Sequence, residues 1–262
     1  EVQEVDGWEK AVNSLLEDAN TDIYVTGSNS KLMSSEISTY LTGRYVSIPV
    51  YTLSFKEYLD FKADSTLSRR ELLEEYIRFG GFPIIALSEY DDQSAYQIVN
   101  GIYHTVVSRD IVKRHRINKQ DLFDRVVKYI IENMGKTFSA NSISTFLKSE
   151  HRKVSVESIY NYLRWLEQAL IIYPCERYDL QGKSILKTQE KYYLADVSLK
   201  YALLGYNRKM LDGAMENIVY LELKRRGYDV YIGKNDTKEI DFVATRRDER
   251  IYCLLYTSPS PR

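Results

Sequence analysis

The sequence has few cysteines, almost no net charge and no hydrophobic run of membrane-spanning length. Cys175 and Cys253 are its two cysteines, which are too few for a disulfide framework and lack the spacing of zinc ligands. The formal net charge of −1 gives no whole-molecule attraction to nucleic acid or to an anionic membrane. No apolar stretch approaches the roughly 18 to 20 residues of a membrane helix, and no signal-peptide pattern is present. We therefore expect a cytoplasmic protein with no membrane partner.

The sequence also lacks a phosphate-binding loop, although two tripeptides look like the end of one. These are Gly135-Lys136-Thr137 and Gly182-Lys183-Ser184. A Walker A loop needs a glycine five positions before the Gly-Lys pair, because its backbone amides wrap the phosphates. Ile130 and Arg177 occupy those positions. Both tripeptides are therefore interpreted as ordinary turns.

The composition is 44% hydrophobic and 28% charged, which is typical of a folded globular protein. A length of 262 residues suits several small modules, each with its own core. The first module has a helical pattern over residues 8–16, a strand that ends in a Thr-Gly-Ser-Asn corner at residues 26–29, and a helix over residues 30–41. Residues 45–53 alternate apolar and polar side chains, which predicts an edge strand. This order indicates part of an α/β sheet.

Three residues of this module are candidates for contacting a phosphate group or positioning a water beside it. Ser28 and Asn29 follow a hydrophobic strand, where α/β sheets present polar groups to ligands, and could orient a water near a γ-phosphate. The planar fork of Arg44 matches phosphate oxygens. The same residues also suit an ordinary turn and a surface arginine.

Helices dominate the middle of the chain. Ser54 and Glu57 form a capping-box pattern, and a helix over residues 69–79 ends at Gly80-Gly81. Three further helices, at residues 122–134, 140–148 and 156–170, precede a hairpin of strands at residues 171–178 and 184–194. Three helices followed by a hairpin is the order of a winged helix.

The third of these helices carries candidate nucleic-acid contacts. They cluster around its start and along one face: Arg152, Lys153, Asn161 and Arg164. A recognition helix places such groups in the major groove of DNA. Glutamates are interspersed among them, so a protein-docking or solvated face is an equal alternative.

The last module has the order α-β-β-β from about residue 211. Glu216, Asp241 and also Glu239 could meet at one end of it, and paired carboxylates can hold Mg²⁺ for phosphodiester cleavage. Such a site needs a further acid and usually a lysine on the next strand, which residues 251–254 do not supply.

Several segments together resemble a family of prokaryotic AAA-type ATPases with a P-loop domain, a winged-helix-like middle and a restriction-endonuclease-like end. The segments are residues 24–36 (YVTGSNSKLMSSE), 40–45 (YLTGRY), 53–58 (LSFKEY), 79–83 (FGGFP), 190–196 (EKYYLAD), 216–223 (ENIVYLEL) and 239–243 (EIDFV). This resemblance covers nearly all of residues 1–252.

The resemblance implies site roles for four residues. Glu1 would polarise the hydrolytic water, Ser28 and Asn29 would form the sensor corner, and Arg44 would be an arginine finger or sensor. ATP and Mg²⁺ are implied cofactors of the intact protein, and a homo-oligomer is an implied assembly. The Walker A loop would lie upstream, so this chain is expected to bind neither cofactor.

The resemblance also implies an α/β chain made of a partial P-loop ATPase sheet, a helical region with a winged helix, and a small nuclease-like domain. The predicted domains are residues 1–60 (ATPase core remnant), 61–120 (helical lid or linker), 121–205 (winged-helix-like), 206–252 (incomplete nuclease-like) and 253–262. That last decapeptide resembles a translated transposon-adapter sequence, which predicts an artefactual tail. The alternative functions are a DNA-binding or nuclease module and a protein-interaction adaptor without ATPase activity.

Overall fold

The computed structural model describes residues 2, 5–17, 21–27, 44–180, 184–206, 213–235 and 238–255. These residues contain ten α-helices, one π-helical segment and a five-stranded mixed sheet. The prediction of a mixed α/β chain is therefore confirmed. Within the described part of the chain, no helix has the length and apolar character needed to cross a membrane.

Helices make up the first half of the described chain. They are α1 (Trp8–Leu15), α2 (Phe55–Phe61), α3 (Arg69–Phe79), α4 (Pro83–Ala86) and α5 (Asp92–Val106), which continues into a π-helical segment (Val107–Lys113). Side-chain caps fix where α2 and α3 begin, because Ser54 pairs with Glu57 and Ser68 pairs with Glu71 in full capping boxes. Gly80, with φ of 74°, ends α3.

Three helices and a hairpin follow, as the sequence predicts. They are α6 (Gln120–Glu132), α7 (Ala140–Ser149), α8 (Val156–Gln168), β1 (Ile172–Asp179) and β2 (Ser184–Leu194). Ser139 and Ser155 cap α7 and α8 by accepting the backbone N–H three residues ahead. The remaining elements are α9 (Ser198–Leu204), α10 (Ala214–Arg225), β3 (Asp229–Asn235), β4 (Lys238–Arg246) and β5 (Glu249–Cys253).

The hairpin is part of a larger sheet. The strand order is β2-β1-β3-β4-β5, with β1 parallel to β3 and every other neighbouring pair antiparallel. The parallel pairing sets Arg177 against Ile232 and Asp179 against Lys234. The sheet therefore continues across the predicted domain boundary at residues 205 and 206.

Strand β2 divides two hydrophobic cores, because successive side chains of a strand point to opposite faces. Tyr192 and Leu194 lie in the core formed with helices α5 to α8. Tyr193 lies in the second core, where it packs against Tyr220 of α10 and Phe242 of β4. The sheet is thus covered by the helical core on one side and by α10 on the other.

The predicted ATPase sheet is not formed by the residues that the structure describes. Residues 21–27 and 45–53 were predicted to contribute strands, and neither stretch is a strand. A strand exists only when its backbone N–H and C=O groups pair with a neighbouring strand. All strand pairs of the described chain lie among β1 to β5, so the alternating pattern at residues 45–53 has no partner among them.

Candidate functional site

The stretch that leads into α2 is hydrogen-bonded to three separate elements. We call residues 51–54 the joint segment. The backbone N–H of Leu53 donates to the carbonyl of Gly81 at 2.7 Å, and the Thr52 hydroxyl donates to the Ala195 carbonyl at 3.2 Å. The guanidinium of Arg225 donates to the Thr52 carbonyl at 2.7 Å. The joint segment is therefore held by the turn after α3, by the end of β2 and by α10.

A buried carboxylate holds the turn that the joint segment contacts. Asp196 is 2% exposed; its Oδ2 accepts the backbone N–H of Gly81 at 2.8 Å, and its Oδ1 accepts the backbone N–H of Ser198 at 2.9 Å. Burial raises the pKa of Asp196, while hydrogen bonds from Ser198, Gly81 and Thr52 oppose this rise. A buried carboxylate needs several donors, and these partners supply them.

Only glycine fits at the two positions beside this carboxylate. A Cβ on Gly80 would lie 1.7 Å from Asp196 Oδ1, and a Cβ on Gly81 would lie 2.3 Å from the Leu53 carbonyl oxygen. Gly80 also has a φ of 74°, a backbone conformation that residues other than glycine rarely adopt. The Gly80-Gly81 pair therefore permits close approach between the α3 turn, the joint segment and Asp196.

A second cluster joins β2, α10 and β4 through a lysine. The ammonium of Lys191 lies 2.9 Å from Glu216 Oε1 and 2.6 Å from Glu239 Oε1. The Tyr193 hydroxyl donates to the same Glu216 oxygen at 2.5 Å. The Lys191 side chain is 7% exposed, against 18% for Glu216 and 38% for Glu239. This cluster is a triad of one buried ammonium, the partly buried Glu216 carboxylate and the exposed Glu239 carboxylate.

Burial and the charges of the triad shift the pKa values of Lys191 and its neighbours. Burial lowers the pKa of Lys191, but the carboxylates of Glu216 and Glu239 raise it more, so the net pKa lies above that of a free lysine. Burial and the Glu216 carboxylate raise the pKa of the Tyr193 hydroxyl. Burial also raises the pKa of the Cys175 thiol, which donates to the Val230 carbonyl at 3.5 Å. At neutral pH Lys191 is therefore charged, and the Tyr193 hydroxyl and the Cys175 thiol are neutral.

The residues predicted to hold a metal, Glu216 and Asp241, each have a protein partner. Glu216 is paired with Lys191, whereas Asp241 Oδ2 accepts the backbone N–H of Leu255 at 2.6 Å. In the described ranges, no group of three or more His, Cys, Asp or Glu residues could hold a metal ion. Mg²⁺ requires near-octahedral oxygen ligation at about 2.0–2.1 Å. An ammonium occupies the space between Glu216 and Glu239 that such an ion would need.

The predicted phosphate site is largely outside the described residues. Glu1, Ser28 and Asn29 are not among those residues, and their roles stay predictions. Arg44 is described and its side chain is exposed. Its assignment as an arginine finger likewise stays a prediction.

The predicted nucleic-acid residues lie at the start and on the surface of α8. Arg152 is ion-paired with Asp121, and Asn161 accepts a hydrogen bond from Arg164 at 2.7 Å. The side chains of Lys153 and Arg164 are exposed. DNA contact by this surface stays a prediction.

Sequence reasoning missed Lys191, Asp196 and Arg225 as members of these clusters. Lys191 could have been found from strand alternation, because it shares a face of β2 with Tyr193 and strand β2 was predicted. Asp196 and Arg225 act on residues more than 100 positions away in the sequence. Contacts at that separation follow from packing and leave no local pattern.

Comparisons with known proteins match two parts of the chain. Residues 70–210, more than half of the chain, match the model described as Domain of unknown function (DUF8612). Residues 1–59 match the model described as AAA domain. The second match includes the joint segment and ends inside α2.

Relatives align along almost the whole chain. An uncharacterized protein of Haemophilus influenzae is 41% identical over 254 residues, which are 96% of this chain and 63% of that protein. Uncharacterized protein MJ1544 of Methanocaldococcus jannaschii is 34% identical over 271 residues, covering 98% of this chain and 60% of that protein. The chain thus spans less than two thirds of the length of these relatives.

Proposed function

This chain belongs to the family defined by Domain of unknown function DUF8612, and on that premise we propose that it is part of an AAA-type ATPase. In the intact protein, ATP binding and hydrolysis in the AAA domain move the helical and sheet elements described above. The joint segment transmits this movement. The cofactors of the intact protein are ATP and Mg²⁺.

The observation that carries this proposal is the position at which the AAA match ends. It ends at residue 59, within α2, and α2 is packed into the helical elements. Tyr58 is fully buried, and its hydroxyl donates to Glu75 of α3 at 2.8 Å. The AAA-matched stretch thus continues into the DUF8612 elements through packed residues. A displacement of its end must therefore displace the elements that it contacts.

The contacts of the joint segment explain how such a displacement would spread. The backbone N–H of Leu53 is hydrogen-bonded to the Gly81 carbonyl, and the backbone N–H of Gly81 is hydrogen-bonded to the Asp196 carboxylate after β2. On the other side, Arg225 connects the Thr52 carbonyl to α10. Close-packed interiors shift between discrete arrangements because they do not deform continuously. A movement of the joint segment would therefore reach both α3 and the sheet.

The intact protein needs groups that stabilise charge on the transferred phosphoryl. The exposed Arg44, seven residues before the joint segment, is our candidate, because a guanidinium stabilises that charge either within its own subunit or across a subunit interface. Action across an interface would require a homo-oligomer. Glu1 would act on the attacking water, and Ser28 and Asn29 would contact the γ-phosphate region.

The test is ATP hydrolysis by the full-length relative from Haemophilus influenzae, with this chain alongside. We expect Mg²⁺-dependent hydrolysis by the full-length protein alone. Alanine at the position aligned with Arg44 should lower kcat by about 10³-fold or more with nucleotide affinity nearly unchanged, since arginine fingers contribute 10³ to 10⁵. A matched control is alanine at the position aligned with Arg70, because Arg70 is exposed and its ion pair with Glu74 spans one helical turn.

Two results would contradict the proposal. If the full-length protein neither binds nor hydrolyses ATP, the AAA-matched stretch is a scaffold without nucleotide chemistry. If the change at Arg44 abolishes nucleotide binding and kcat together, that arginine holds the domain structure and is not an arginine finger.

A further inference from the structure

In the triad of Lys191, Glu216 and Glu239, two carboxylates surround a cation as they would in a metal site. Here the cation is the lysine ammonium of the protein itself. We propose that the Lys191 ammonium takes the position a divalent metal would occupy between the two carboxylates. The site is thus neutralised internally and binds neither Mg²⁺ nor Mn²⁺. This inference concerns the sheet and α10, and it does not depend on the proposed ATPase.

The distances around the ammonium support this assignment. Lys191 Nζ is 2.9 Å from Glu216 and 2.6 Å from Glu239, so two of its three N–H groups have charged acceptors. Short contacts of this kind are the strong, charge-assisted hydrogen bonds. The ammonium lies between carboxylates that come from α10 and from β4. It therefore joins β2 to both elements.

The surroundings of Glu216 leave little room for a hydrated metal. Its Oε1 already accepts from Lys191 and from the Tyr193 hydroxyl. Its Oε2 lies against the backbone, because a Cβ on Gly135 would be 3.3 Å from that oxygen. Mg²⁺ normally keeps several of its waters when it binds carboxylates. Both oxygens of Glu216 thus already have protein groups close to them.

The position of Asp241 points to the same conclusion. Together with Glu216 it was the predicted metal pair, yet its Oδ2 accepts the Leu255 backbone N–H at 2.6 Å. Glu239, two residues earlier on β4, is the acid that meets Glu216 through Lys191. The two acids that the fold brings together are Glu216 and Glu239, and the Lys191 ammonium already lies between them.

The first experiment titrates the wild-type chain with Mn²⁺ and measures free Mn²⁺ by electron paramagnetic resonance. We expect no saturable binding up to about 1 mM, since a resident ammonium repels a second cation at such short range. Saturable binding that is lost in Glu216→Gln would overturn the proposal. This measurement needs no destabilised variant.

The second experiment removes the resident cation in Lys191→Ala. The two unneutralised carboxylates should then accept Mn²⁺, so millimolar Mn²⁺ should raise the thermal midpoint of Lys191→Ala and leave that of the wild type unchanged. Lys153→Ala, at an exposed lysine, is the matched control and should show no Mn²⁺ effect. A folded Lys191→Ala protein that ignores Mn²⁺ would overturn the proposal. If this variant does not fold, the wild-type titration decides.

Discussion

Gly81→Ala should weaken the protein by crowding the joint segment. The added Cβ would lie 2.3 Å from the Leu53 carbonyl oxygen, 3.0 Å from its nitrogen and 3.1 Å from its carbonyl carbon. These are backbone atoms, so no side-chain rotation can relieve the contact. Gly81, unlike Gly80, does not have a positive φ, so the substitution tests the contact and not backbone strain.

The expected cost follows from overpacking and lost hydrogen bonds. Forcing an extra methyl group into a packed site costs about 1–3 kcal/mol. Moving Leu53 away also breaks its N–H bond to the Gly81 carbonyl and weakens the Tyr76 hydroxyl bond to the Leu53 carbonyl, at about 1 kcal/mol each. We therefore expect Gly81→Ala to lower the free energy of unfolding by about 3–5 kcal/mol.

Urea-induced unfolding of the 262-residue chain, followed by circular dichroism, measures this cost. The matched control is Gly101→Ala, because Gly101 lies within α5 and an added Cβ there meets nothing within 4 Å. This control should gain about 0.5–1 kcal/mol from improved helix propensity. A Gly81→Ala protein within about 0.5 kcal/mol of the wild type would refute the claim that the turn and the joint segment are tightly packed.

Two further predictions concern ionisation in the folded chain. Burial raises the folded-state pKa of Asp196 above the unfolded value of about 3.9, so its contribution to stability is present below that value and is lost as pH rises through the folded pKa. The stability of wild type relative to Asp196→Asn should therefore fall as pH rises from about 4, and a rise would contradict the raised pKa. Cys175 is fully buried and its thiol pKa is raised, while Cys253 is partly exposed, so a thiol reagent at neutral pH should label Cys253 first and Cys175 only on unfolding. Equal labelling rates, checked against Cys253→Ser, would contradict this burial.

Local sequence signals predicted the helices well. Ser54 with Glu57, and the serines before α7 and α8, mark helix starts because their side chains satisfy free backbone N–H groups. The Gly80-Gly81 pair predicted the end of α3. Each of these signals acts within a few residues, so the sequence alone contains what is needed to find it.

Sheet formation and the charged triad could not be predicted in the same way. Residues 45–53 alternate like a strand, yet a strand requires a neighbour that pairs with it, and none of the described strands pairs with them. Lys191, Glu216 and Glu239 lie far apart in the sequence and meet only because β2, α10 and β4 pack together. The lysine that meets Glu216 and Glu239 comes from β2, which precedes both acids in the sequence.

Amide hydrogen exchange in the full-length relative from Haemophilus influenzae tests the coupling claim most directly. The rates to compare are those of the amides aligned with Leu53, Gly81 and Ser198, with and without a non-hydrolysable ATP analogue and Mg²⁺. These amides are hydrogen-bonded within the joint segment and its Asp196 partner turn. We expect nucleotide to change the exchange of these three amides together, because the proposed movement would pass through the hydrogen bonds that they make. Nucleotide binding that alters exchange only upstream of the joint segment would contradict it.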